Sequence, residues 1–139
     1  MAKEVVMLQS VNLRDYMLSN PVKVRADDNV LDAMQVIIDN KISGVCVVNA
    51  EESLVGILSE LDCLRAVLGA IYNNSAIGNV SDYMASDNLV VAHPNEDIVD
   101  VAQDMLLKNK RRRPVVEDGK LIGQITCRQL LSAVKKFRN

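Results

Sequence analysis

The chain has 139 residues, a formal net charge of −2 and 49% hydrophobic residues, of which only a few are aromatic. That length suits one ordinary domain or two very small ones sharing a core, and balanced charge with recurring apolar residues excludes a disordered chain. The charge gives no general attraction to nucleic acid or membrane, and no apolar stretch approaches the ~20 residues that span a bilayer.

The N-terminus, MAKEVVMLQS, carries acidic Glu4 beside a short apolar patch and has no small-residue cleavage site. It does not read as a signal peptide, which favours the cytoplasm. Val22 and Val24 then alternate with Lys23 and Arg25, the pattern of a short half-buried strand. Asp27, Asp28 and Asn29 supply N-cap chemistry for a helix whose apolar face is Val30, Ala33, Met34, Ile37 and Ile38. Gly44 breaks that pattern. Val45–Val48, the turn Ala50–Ser53 and Leu54–Leu58 read as a hairpin. Ser59 starts another helix, with Leu61, Leu64, Val67 and Leu68 as its apolar positions. Gly69–Gly78 reads as a short, partly helical linker. A strand Leu89–Ala92, a helix Asp97–Lys108, a hairpin of Pro114–Glu117 with Leu121–Ile125, and a last helix to about Phe137 complete the chain.

These elements occur twice. Asn12–Met17 matches Asn79–Met84, Val30–Ala33 matches Ile98–Val101, Val47–Val48 matches Val115–Val116, and Leu54–Ser59 matches Leu121–Thr126. The offset stays near 68 residues, so the chain is one β-α-β-β-α unit used twice. The division expected is 9–68 for the first repeat, 69–78 for a linker and 79–137 for the second. Neither repeat alone has a comfortable core at this size, so an α+β fold of two tightly packed repeats is expected.

Cys46, Cys63 and Cys127 are odd in number, sit in apolar runs and form no CxxC pair, so they read as buried structural thiols. His93 matches Arg25 in the repeat and reads as a loop histidine, a phosphate contact being the minority alternative. No Gly-rich phosphate loop, His–carboxylate cluster or metal-ligand spacing is present in the sequence. The chain therefore reads as a non-enzyme with neither metal nor catalytic cofactor. Ser59–x–x–Asp62 and Thr126–x–x–Gln129 have the spacing of capping boxes. The run Lys110–Arg113 fits either a solvated turn or an anion contact. Its neighbours lack stacking aromatics, which argues against nucleic acid. The basic tail Lys135–Arg138 is either a docking end or a frayed helix terminus.

The duplicated β-α-β-β-α unit carries Ile42–Val48 with Gly56–Asp62 in one copy, and Arg111–Val116 with Gly123–Gln129 in the other. With its Val–Val strand and Gly-x-x-Ser/Thr-x-x-Asp pattern, it resembles the cystathionine β-synthase (CBS) domain, here as a stand-alone tandem pair from about Asn12 to Val134. Two departures stand out: Cys46 replaces the family's proline, and Gln129 replaces its ribose-binding aspartate. The resemblance implies an intramolecular pseudo-twofold pair that binds AMP, ADP, ATP or another adenosyl compound between its copies as a regulatory ligand. It further implies a disc-shaped homodimer and an effector partner that the sequence does not name.

Residue by residue, the resemblance puts Asp62 on the ribose and Arg112, with Arg111 alongside, on the phosphate. Ser59 and Thr126 can serve as both cap and donor. Val22, Ile42, Gly44 and Ile57 line the base slot, where each is equally a core residue, and Ser43 belongs with Gln129 to the mirrored, weaker site. Asp62 thus has two readings, cap and ribose acceptor, whereas Gln129 reads mainly as a cap. The alternative function is a dimerisation scaffold with a degenerate site.

Overall fold

The structure, a computed structural model, describes Val6, Leu8 and residues 10–136. A 3-10 turn at Leu13–Asp15 precedes β1 (Leu18–Ser19) and β2 (Lys23–Arg25). Then come α1 (Val30–Asn40), β3 (Gly44–Val48), β4 (Leu54–Ser59) and α2 (Glu60–Asn73). A second 3-10 turn at Val80–Asp82 precedes α3 (Ile98–Lys108), β5 (Arg112–Glu117), β6 (Lys120–Thr126) and α4 (Cys127–Lys136). Phe137, the expected end of the last helix, lies outside the described residues.

The elements fall into two compact units that cut across the sequence repeats. A central unit comprises Val22–Leu89 with Gly119–Leu121; a terminal unit takes the chain up to Pro21, Val90–Asp118 and the chain from Ile122 onward. The leading turn of each repeat is responsible. Leu13 and Arg14 donate their backbone N–H groups to the carbonyls of Glu96 and Pro94, within the terminal unit. In the central unit, Val80 and Ser81 donate in the same way to Asp28 and Ala26. Each turn thus satisfies carbonyls of a strand-to-helix loop that would otherwise lack partners.

In the central unit β3 lies between β2 and β4. It runs parallel to β2, with Lys23 opposite Cys46, and antiparallel to β4, with Gly44 opposite Ser59. All residues of β3 are buried, which is why it reads as a continuous apolar run rather than an alternating one. Val24, Val30, Ile37, Val45, Val47, Leu58, Ala66 and Val80 form the core beneath it. The terminal unit has the strand order β1-β6-β5. Its core gathers Leu13, Tyr16, Ile98, Val101, Met105, Val115 and Ile125.

Helix starts follow the expected chemistry. Asn29 and Asp97 accept from the backbone N–H groups of Leu31 and Val99, satisfying donors that have no partner within the helix. The helices α1, α2 and α3 end on Lys41, Asn74 and Asn109, all in the left-handed region. Helix α2 runs past Gly69 to Asn73, so much of the expected linker is helix. A glycine inside a helix costs only about 1 kcal/mol, which the packing of Cys63 and Ala66 against the core offsets.

The strand expected at Leu89–Ala92 is reduced to a single bridge, Ala92 to Val115. Prolines on both sides explain this. Ala92 donates to the Pro114 carbonyl and accepts from Val116 N–H, as a parallel pair requires. The next bond one way needs an N–H from residue 114, and the next the other way needs one from residue 94. Both are prolines and have no N–H to give. The matching Ala26 in the first repeat does donate, to the Val48 carbonyl at 3.0 Å.

Candidate nucleotide-site residues

The expected site residues fall into two clusters, one in each unit. In the central unit they converge on one end of the sheet. Gly44 opens β3 directly opposite Ser59, which closes β4. The Glu60 N–H that begins α2 donates to the Ser43 carbonyl at 3.0 Å. Extending the β2–β3 register by one residue puts Val22 opposite Val45. Ile42 and Ile57 are half-buried, and Val22 is 37% exposed. A Cβ at Gly44 would sit 3.3 Å from the Leu58 carbonyl oxygen, a tight approach.

Asp62 occupies the first turn of α2 and is only 7% exposed. Its Oδ2 accepts from Ser59 N–H at 2.9 Å, while Ser59 Oγ accepts from Asp62 N–H at 3.1 Å. That is the reciprocal capping box expected from the spacing. The other oxygen, Oδ1, accepts from the Arg65 guanidinium. The partnership of Arg65 was missed at the sequence level, although an i, i+3 spacing on a helix announces it. A carboxylate has acceptor capacity beyond these bonds, so the cap does not exhaust Asp62.

The terminal unit repeats the arrangement with different chemistry. Cys127 N–H donates to the Arg111 carbonyl at 2.9 Å, as Glu60 does to Ser43. Thr126 N–H donates to Gln129 Oε1 at 3.0 Å, and Gln129 N–H to Thr126 Oγ1 at 3.1 Å. Gln129 is therefore a cap, in line with its sequence reading. Arg112, half-buried, opens β5 and holds the place that Gly44 has in β3. Arg111 is exposed.

The cation run is not uniformly solvated. Arg113 is 4% exposed and lies 2.8 Å from Asp104 Oδ2 on α3, an ion pair within the terminal unit. Nothing in a run of like charges marks which member turns inward, and burial along β5 does not alternate, since Arg113 through Val116 are all buried. Hydrogen bonds from Lys108 and then Arg113 hold the Asp104 carboxyl below its usual range.

The remaining expectations resolve locally. Burial, with Asp62 and Glu60 near, pushes the Cys63 thiol up, the state of an unreactive structural cysteine. Cys46 is buried too, but Cys127, expected to be buried, is only half-buried at the start of α4. His93 Nδ1 lies 3.1 Å from Glu96 Oε1 in an exposed turn, so it behaves as a loop histidine. Phe137 and Arg138 of the basic tail lie outside the described residues. Among the described residues there is no cluster of His, Cys, Asp and Glu fit to hold a metal ion, and no helix long and apolar enough to cross a membrane.

Comparison with known proteins bears on this arrangement. The CBS domain family matches residues 13–69 and 80–136. The uncharacterized protein MJ1426 of Methanocaldococcus jannaschii is 30% identical, over 84% of this chain and 88% of its own length. MJ1225 of the same organism is 33% identical over 82% of this chain. Inosine-5'-monophosphate dehydrogenase of Aquifex aeolicus is 36% identical over 88% of this chain. The chain spans only 39% of MJ1225 and 24% of the dehydrogenase. Among solved structures, CBSX2 in complex with AMP is 29% identical, with a TM-score of 0.78 over 91% of this chain and 98% of that one. Two repeats matched by one family, in an α+β fold shared with CBS-pair structures, settle the relationship: the chain belongs to the CBS domain family, as a tandem pair.

Proposed function

We propose that this CBS pair is a regulatory module that senses an adenine nucleotide or another adenosyl compound, AMP or ATP first, and catalyses no reaction itself. The observation that carries the reading is Asp62, a nearly buried carboxylate at the start of α2 beside the strand ends that bear Ser43, Gly44 and Ser59. A vicinal diol can donate both hydroxyls to one carboxylate. Arg112 and Arg111 supply the cationic counterpart for phosphate, while Ile42, Ile57 and Val22 supply apolar surface for the base. Ser59 and Thr126 add hydroxyls at the helix starts. The AMP complex of the CBSX2 relative supports the ligand class.

The test is calorimetric titration with AMP, ADP, ATP and S-adenosylmethionine. At least one should bind stoichiometrically, and Asp62→Asn, which can keep the cap but loses the charge, should weaken binding about tenfold or more. Binding that ignores Asp62→Asn and Arg112→Ala alike removes the proposal.

One observation favours a scaffold with a degenerate site instead: at the matching position of the second repeat, Gln129 is engaged as a cap. Absence of binding by every adenosyl compound, with a stable dimer, would select that reading. Under both readings we expect a homodimer in the cytoplasm that docks an effector protein. Helix α2 supports the dimer. Leu61, Leu64, Leu68, Ile71 and Tyr72 follow a 3–4 spacing along it and are 46–86% exposed, a stripe fit for another helix. Sedimentation equilibrium of Leu64→Glu/Leu68→Glu should report a monomer.

A further inference from the structure

Three differences between the repeats meet at one place, the segment Val90–Ala92 beside β5. In the first repeat, β2 pairs with β3 over Lys23, Val24 and Arg25, and Ala26 adds its bond to the Val48 carbonyl. In the second, the pairing is the single bridge of Ala92 to Val115. Its bonds run from Ala92 N–H to the Pro114 carbonyl at 2.8 Å and from Val116 N–H to the Ala92 carbonyl at 2.9 Å. At the offset of the repeat, Pro94 stands in the place of Ala26 and Pro114 in that of Cys46. Each proline takes one N–H out of the ladder. Ahead of the bridge, no backbone N–H from Ser86 to Val91 donates to a described residue.

The third difference is a charge. Extending the register of Ala92 with Val115 by two residues puts Val90 opposite Arg113, as Val22 is opposite Val45. Val45 is a core residue of the central unit, 2% exposed. Arg113 is nearly as buried, and among the described residues Asp104 is the one carboxylate paired with it. Exposing a core valine costs apolar burial, whereas exposing a buried guanidinium returns hydration that burial had removed. The first repeat thus holds its leading strand with backbone bonds over an apolar residue. The second has two prolines and a cation at the same positions, and all three favour release.

We propose that Val90–Ala92 is a strap that opens from β5 without unfolding of the central unit, and that an anionic ligand at the start of β5 closes it. Opening withdraws Ala92 from the core it shares with Leu13, hydrates Arg113 and frees one edge of β5. Closure rests on the nucleotide reading: with phosphate held by Arg112 and Arg111, Val90 offers the base the surface that Val22 offers in the first repeat. A ligand that contacts only the closed strap shifts the population toward it. The opening itself is independent of that reading.

Hydrogen exchange of the full chain, resolved by residue, tests both parts. Without ligand, the amides of Ala92 and Val116 should exchange at least about tenfold faster than those of their counterparts Val24 and Val48. Their rates should respond weakly to low urea, because a local opening exposes little surface. Pro94→Ala/Pro114→Cys, which installs the residues of the first repeat, should slow both about tenfold and give a protected amide at position 94. Arg113→Met, which keeps length without charge, should slow them several-fold. Equal protection in the two repeats, or rates indifferent to both variants, overturns the strap. Saturating AMP or ATP, whichever binds the more tightly, should slow Ala92 and Val116 about tenfold. Binding that leaves those rates unchanged overturns closure by ligand alone. No binding by either nucleotide, with the repeats still unequal, removes closure together with the nucleotide reading, while the strap stands.

Discussion

Leu13 belongs by sequence to the first repeat but by packing to the terminal unit, together with Ile98, Val101, Met105 and Ile125. Replacing it with alanine separates those two memberships. The side chain is fully buried, so the change loses the transfer free energy of its missing carbons and leaves a cavity. Together these cost about 3–5 kcal/mol for a leucine that its neighbours cannot replace. At about 1.4 kcal/mol per tenfold, an opening that exposes this core becomes roughly two to three and a half orders of magnitude more populated. Hydrogen exchange resolved by residue reads this directly. The Val116 amide, which bonds Ala92, and the amides of β6 facing β1 should exchange faster by on the order of 100-fold or more in Leu13→Ala. Unchanged protection there, with losses confined to β3 and β4, would refute the assignment of Leu13 to the terminal core.

Gly56 and Gly69 make a contrasting pair. A Cβ at Gly56 would meet the Ala85 carbonyl oxygen at 2.9 Å and Met84 Sδ at 2.5 Å, whereas at Gly69 it meets nothing within 4 Å. Gly56→Ala should therefore lower stability in urea by about 1–3 kcal/mol, while Gly69→Ala should raise it by up to about 1 kcal/mol. Removing the cap with Ser59→Ala should cost about 1 kcal/mol in the same assay. Asp104 gives a pH dependence of defined sign. Its carboxyl is held below the usual range by Lys108 first and Arg113 second. The stability it contributes is present above the ordinary carboxylate pKa and is lost as pH falls through the lowered folded value. Urea midpoints measured from neutral to acidic pH should lose that component in Asp104→Asn.

Local chemistry made much of this legible in the sequence. Asn29 announced α1 by capping, Ser59–x–x–Asp62 announced its own box, and the 68-residue offset announced the duplication. What escaped depended on distant or cooperative contacts. The pairing of β1 with β6 joins Leu18 to Gln124 across most of the chain, and no local pattern encodes it. The truncation at Ala92 arises from prolines on two segments acting together. The inward turn of Arg113 is set by Asp104 on a neighbouring helix. Among the site residues, the cap and the strand-end positions followed from spacing, and the i, i+3 spacing of Asp62 and Arg65 on α2 carried the same kind of signal for their pairing.

The exchange of leading turns carries a consequence for biosynthesis. A chain leaving the ribosome releases nearly all of the central unit, Val22–Leu89, while Leu13 and Tyr16 still await β5 and β6. Leu13 and Tyr16 must therefore stay unpartnered until β5 and β6 have emerged, and a nascent chain stalled near residue 100 holds them in water. Anyone excising the second repeat as a fusion module should carry the opening segment with it, because a fragment starting at Asn79 would begin life with its core unplugged.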